Sequence, residues 1–162
     1  MGQFVTGVCV IAIPGVAPGD EDRGASTGVF GNTPMGMTVN SFASVSLEPM
    51  LISWAIQNNA SRYQLFADAL DFTVSILAED QQPIARRYTG RGNSQRQVTD
   101  FEFSDRGLPV IANALGYLEC RRWSLNPAGD HTIILGEVNT IRLGSPKGPL
   151  GFFGGGFCRI AD

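Results

Sequence analysis

The chain has 162 residues, 43% of them hydrophobic and 17% charged, a composition that excludes a disordered or charged-tail protein and supports one domain over residues 1–162. Twelve basic and fifteen acidic residues leave a formal charge of −3, which excludes broad attraction to nucleic acid or to an anionic membrane surface. Any anionic ligand is held locally.

Phe4 to Ile13 is a nearly continuous apolar run bounded by Pro14-Gly15, and reads as a strand buried on both faces. It is too short to span a bilayer and follows no basic segment, so the reading is a cytoplasmic protein with no membrane partner. Pro14 to Gly24 shifts to glycine, proline and acids, a loop. After Asn32-Thr33-Pro34, the alternation over Gly36 to Leu47 places Met37, Val39, Ala43, Val45 and Leu47 on one face and Thr38, Asn40, Phe42, Ser44 and Ser46 on the other. Pro49 interrupts before a further strand, Met50 to Ile56.

Ser61 with Gln64 three positions on forms a capping-box pattern ahead of Leu65, Phe66, Ala69 and Leu70, which predicts a short helix. Asp71 to Leu77 is strand-like. Glu79 to Tyr88 has acids at its start, Arg86-Arg87 at its end and Gly90 beyond, the charge order of a second short helix. Arg91 to Arg106 is polar and irregular. Leu115 to Leu125 and His131 to Leu143 are strands joined through Asn126 to Asp130, and a last strand, Leu150 to Phe153, runs into three glycines. About six sequential strands with two short helices predict a mainly β, antiparallel, closed or nearly closed barrel.

Cys9, Cys120 and Cys158 are odd in number and far apart, so they read as buried thiols; with His131 the only histidine, no metal site is expected. Gly24 to Gly28 matches G-x-S-x-G, with Ser26 as nucleophile and His131 as its base, but it lacks the strand before and helix after that the motif needs, and reads better as a hairpin tip. No Rossmann or P-loop glycine pattern occurs. The polar face of Thr38, Asn40, Ser44 and Ser46 suits a flat heteroaromatic ligand with ring nitrogens and carbonyls, or simply water. Asn58 to Arg62 adds backbone amides, a hydroxyl and a guanidinium, groups that attract phosphate. Arg86 to Gly92 could add more.

Phe4-Val5-Thr6-Gly7-Val8, Gly36-Met37-Thr38-Val39-Asn40-Ser41-Phe42, Ser44 to Pro49, Leu118-Glu119-Cys120 and Gly129-Asp130-His131-Thr132-Ile133 with Gly136-Glu137-Val138 resemble the successive blocks of the flavin reductase-like domain family. The blocks stand in family order across nearly the whole chain. The resemblance implies a six-stranded antiparallel FMN-binding split barrel of Greek-key type, homodimeric. It would transfer hydride from NADH or NADPH to FMN or FAD and supply reduced flavin to a partner monooxygenase.

By position, the resemblance places Pro34, Met35, Gly36, Met37, Thr38, Asn40 and Ser41 around the isoalloxazine, with Ala55, Ile56 and Gln57 beside it. Ser61, Arg62, Arg87, Tyr88 and Arg91 would reach the phosphate or adenylate part. His131, as the catalytic candidate, and Phe152, Phe153, Gly154 and Gly155 would line the nicotinamide side. Where family members carry an aromatic pair, Arg-Gly-Arg and an aromatic, this chain has Phe152-Phe153-Gly154-Gly155-Gly156-Phe157. The aromatic surface is kept and both arginines are absent, which keeps a second reading open, a non-catalytic module that stores or senses flavin.

Overall fold

A computed structural model of the chain describes residues 2–16, 30–90 and 98–160. Among these, twelve strands and two short helices form in the order β1 (Thr6–Gly7), β2 (Cys9–Val16), β3 (Phe30–Val39), β4 (Ala43–Leu47), β5 (Met50–Gln57), α1 (Tyr63–Asp68), β6 (Asp71–Ile76), α2 (Gln82–Arg87), β7 (Phe101–Phe103), β8 (Pro109–Ile111), β9 (Gly116–Ala128), β10 (His131–Leu143), β11 (Leu150–Phe153) and β12 (Gly156–Arg159). No helix among them is long and apolar enough to cross a membrane.

Seven strands pair antiparallel in the order β3-β2-β6-β9-β10-β5-β4. The two edge strands, β3 and β4, are consecutive in the chain and separated only by Asn40, Ser41 and Phe42. Four Cα steps span at most about 15 Å, so the sheet is curled until its edges nearly meet. The mainly β, split-barrel expectation holds in this form. A three-stranded sheet, β1-β11-β12, and the β7–β8 hairpin lie outside the seven.

Alternation divides the apolar residues between two cores. Ile11, Met35, Val39, Trp54, Ile56, Phe72, Cys120 and Ile134 fill the inside of the curl, together with Leu65 and Phe66 of α1. Trp54 lies edge-on to Phe66 and Phe72, at 6.0 and 5.9 Å between ring centroids. Val8, Val10 and Ala12 point the other way, against Ala85 and Tyr88 of the α2 segment, Phe101, Ile111 and Leu150. The apolar run at the start is buried on both faces only from Val8 to Ile13; Phe4 and Val5 are exposed, because the run divides at Val8 between two sheets and Thr6–Gly7 pair with β11 instead. Burial pushes the Cys9 and Cys120 thiols up to about 12.

Several boundaries differ from the sequence expectation. The alternation of Gly36 to Leu47 does not run through: β3 stops at Val39, and in β4 the apolar Val45 and Leu47 are exposed. A bulge between Ser44 and Ser46 resets that strand's register. α1 is shorter than its pattern, and Ser61 does not cap it. The cap position is Arg62, without a side-chain cap bond, and Gln64 bonds Asp68 at 2.9 Å instead. α2 begins at Gln82 with Pro83 in its first turn, so Glu79 and Asp80 precede it. β9 extends through Asn126-Pro127-Ala128, leaving Gly129-Asp130 as a two-residue turn with Gly129 at φ 66°.

Candidate functional site

The site is assembled where the sheet fails to close. On β3, Met35, Met37 and Val39 turn toward the inner core, which leaves Gly36 and Thr38 on the outer face. That face is held from above. Thr38 donates its hydroxyl to Ala85 O at 2.7 Å and its backbone N–H to Tyr88 O at 2.9 Å, while Arg62 Nη1 donates to Gly36 O at 3.2 Å. Both helices are thus pinned to the strand that leads into the seam.

Beyond Thr38 the chain crosses the seam. β4 begins at Ala43 opposite Ser53, so two residues further on the backbone N–H of Ala55 has no β4 partner. Ser41 Oγ accepts it at 2.9 Å. On β5 the residues facing away from Trp54 are Ser53, Ala55 and Gln57; the β10 register sets Leu135, Ile133 and His131 opposite them. Asn40, Ser41 and Gln57 are exposed, and Ala55 and His131 are half-buried. Asn40, Ser41, Ala55, Gln57 and His131 therefore lie along one outer surface.

Other expected residues face elsewhere. Met35 and Ile56 are buried in the inner core and Met37 packs against it, so they offer a ligand on the outer face only main-chain atoms. Pro34 is buried. Tyr88 is 2% exposed and donates its hydroxyl to Asp100 Oδ2 at 2.9 Å. Arg87 Nε lies 2.8 Å from that same oxygen, so Asp100 ties the end of α2 to the β7–β8 hairpin. Ser61 is exposed. Arg91 and Ser26 lie outside the described residues.

The β11–β12 turn is a separate assembly. Phe152 pairs with Thr6 and packs edge-on against Phe157 at 5.5 Å, and Arg86 lies over the Phe157 ring, 5.3 Å from its centroid. Gly154 and Gly155 take φ 61° and 84°, successive left-handed residues that suit a tight hairpin turn and favour glycine. The described contacts of this segment run to β1, Gly2 and α2 rather than to His131. The sequence offers Arg86 as part of a cluster suited to phosphate and Phe157 as the aromatic after the glycines; the structure stacks the one on the other.

The residues present fit a flavin. Asn40 and Gln57 carry side-chain amides that donate and accept, and Ser61 and Arg62 provide a hydroxyl and a guanidinium suited to a phosphate. A family model described as the flavin reductase like domain matches residues 1–161. The chain belongs to the flavin reductase-like domain family. It is 40% identical over 162 residues to the FMN reductase (NADH) SmoA of Agrobacterium fabrum, covering 99% of this chain and 83% of that protein. The reductase component of 4-hydroxyphenylacetate 3-monooxygenase from Thermus thermophilus is 31% identical over 160 residues, covering 99% of this chain and 92% of its own. The Streptomyces globisporus NADH:FAD oxidoreductase SgcE6, solved with NAD and FAD fragments, superposes with a TM-score of 0.81 at 35% identity, covering 99% of this chain and 88% of that one. A flavin reductase-like fold thus extends over the seven-stranded sheet with its seam and over the β1-β11-β12 sheet.

Proposed function

We propose that this chain is an NAD(P)H:flavin oxidoreductase, one domain over residues 1–162, that takes hydride from NADH and supplies reduced FMN or FAD to a partner monooxygenase. Membership of the family over residues 1–161 and the NADH-dependent flavin reductases among its relatives support it. The observation that carries it is the seam, where Asn40, Ser41 and Gln57 stand exposed beside the half-buried Ala55 and His131.

A bound flavin supplies the hydride-accepting ring nitrogen, and the transfer from a dihydronicotinamide needs no protein base. The chain's residues orient the two rings. Asn40 and Gln57 pair their amides with the ring edge, and the main chain of Gly36 to Thr38 and of Ala55 borders it. Ser61 and Arg62 hold the phosphate, with Arg87 acting through the position of the α2 end. His131 faces the nicotinamide. Close stacking excludes water and fixes the donor carbon against its acceptor.

The same reading makes the protein a cytoplasmic homodimer. Supporting the dimer, the outer face carries Ala55, Ile133 and Leu135, and at the sheet edge Val45 and Leu47 of β4 are exposed, apolar surface that a second copy would cover. The assay is direct. Purified protein with added FMN or FAD should consume NADH well above the rate of flavin alone; a rate equal to free flavin overturns the reductase reading, and a yellow complex that stays oxidised under anaerobic NADH would establish flavin storage instead.

A further inference from the structure

Asn58 and Thr132 form a polar cluster behind the β9–β10 turn. Asn58 Nδ2 donates to Gly129 O at 3.3 Å and its backbone N–H to Asp130 O at 2.9 Å. From the far side of the turn, Thr132 donates its hydroxyl to Asn58 Oδ1 at 2.8 Å. That uses the only proton Thr132 Oγ1 has, so in the 2.9 Å contact with Tyr63 the phenol is the donor. Thr132 is 2% exposed, where an unpaired hydroxyl is costly. One side chain therefore grips the turn both before and after Asp130-His131.

Within that turn, Asp130 Oδ1 lies 2.7 Å from His131 Nδ1. An ionised carboxylate only accepts, so Nδ1 carries the proton and the neutral ring is left with Nε2 as an acceptor. The hydrogen bond from His131 holds the Asp130 carboxyl below the usual carboxylate range. A free histidine side chain favours the opposite tautomer, and Asp130 is exposed, so the arrangement depends on how the turn is held.

We propose that Asn58 is a positioning residue for His131, fixing the Gly129-Asp130 turn so that the imidazole keeps its Nδ1–H tautomer and presents Nε2 as an acceptor to the nicotinamide carboxamide. The inference rests on the reductase reading for its ligand, but not for its geometry.

His131 is the only histidine in the chain, so a nitrogen NMR spectrum of the imidazole contains a single ring. The wild-type protein should show Nδ1–H at a pH where the ring is neutral. Asn58→Ala should move the ring mainly to Nε2–H and raise KM for NADH about fivefold with KM for flavin unchanged. In a His131→Ala background the same change should add nothing. Thr132→Ser, which keeps the hydroxyl, should behave as wild type. An unchanged tautomer and NADH KM in Asn58→Ala overturn the proposal, as does an additive loss in the double variant. If Asn58→Ala does not fold, Asn58→Asp, which keeps the acceptor for Thr132 and removes the donor to Gly129, is read in the same way. A wild-type protein without reductase activity overturns the functional reading, and the tautomer still decides for or against Asn58.

Discussion

Tyr88 donates its hydroxyl to Asp100 across the buried junction between α2 and the β7–β8 hairpin, at 2.9 Å. Its ring stacks edge-on to Phe101, 5.5 Å away, and its backbone carbonyl receives the N–H of Thr38. A residue that the family resemblance sets beside the ligand is thus the pin behind the strand that borders it.

Tyr88→Phe should destabilise the protein by about 1–2 kcal/mol, since Asp100 loses a buried donor. Burial, then the hydrogen bond and charge of Asp100, raise the Tyr88 phenol above its ordinary range. A raised folded-state value gives stabilisation that is complete below the unfolded phenol pKa of about 10 and is lost as pH rises from there toward the native value. Urea unfolding across that alkaline range should show a steeper loss for wild type than for Tyr88→Phe.

Asn40→Ala should weaken flavin binding by about 1–3 kcal/mol if its amide pairs with the ring. Fluorescence titration with FMN and FAD measures this. An unchanged dissociation constant would remove Asn40 from the site and leave Gln57 as the amide in question.

Gly36→Ala tests how closely the outer core is packed against β3. A Cβ there would stand 3.0 Å from Tyr88 Cδ1, 3.2 Å from Phe101 Cζ and 3.2 Å from Val10 Cγ1. Both rings and the valine are buried, so the substitution should cost about 1–3 kcal/mol by overpacking. Thermal unfolding should show it as a lower midpoint.

Leu47→Asp addresses the assembly. Leu47 is 86% exposed at the end of β4, and a charge there should convert a dimer to a monomer in light scattering at micromolar concentration. A wild-type protein that is already monomeric would overturn the dimer.

Much of this architecture is legible in the residues. His131–Leu143 and Leu150–Phe153 form as strands with the bounds their patterns predict, and Met37, Val39 and Thr38 divide between faces as alternation requires. Alternation failed where the backbone left the regular pleat: the chain crosses the seam at Asn40 to Phe42 and β4 bulges after Ser44, so Val45 and Leu47 do not continue the buried face of β3. Phe101–Phe103 and Gly156–Arg159 are strands of three and four residues, too short to show a period in the sequence. Tyr88 misled for a different reason: a burial partner such as Asp100, twelve residues away, leaves no local mark in the sequence.

The brief tie of Asn40, Ser41 and Phe42 between the two margins of the curled sheet limits how wide the slot can open. Its four Cα steps hold the margins within about 15 Å of each other at that end, so the width there is bounded by the backbone whatever occupies it.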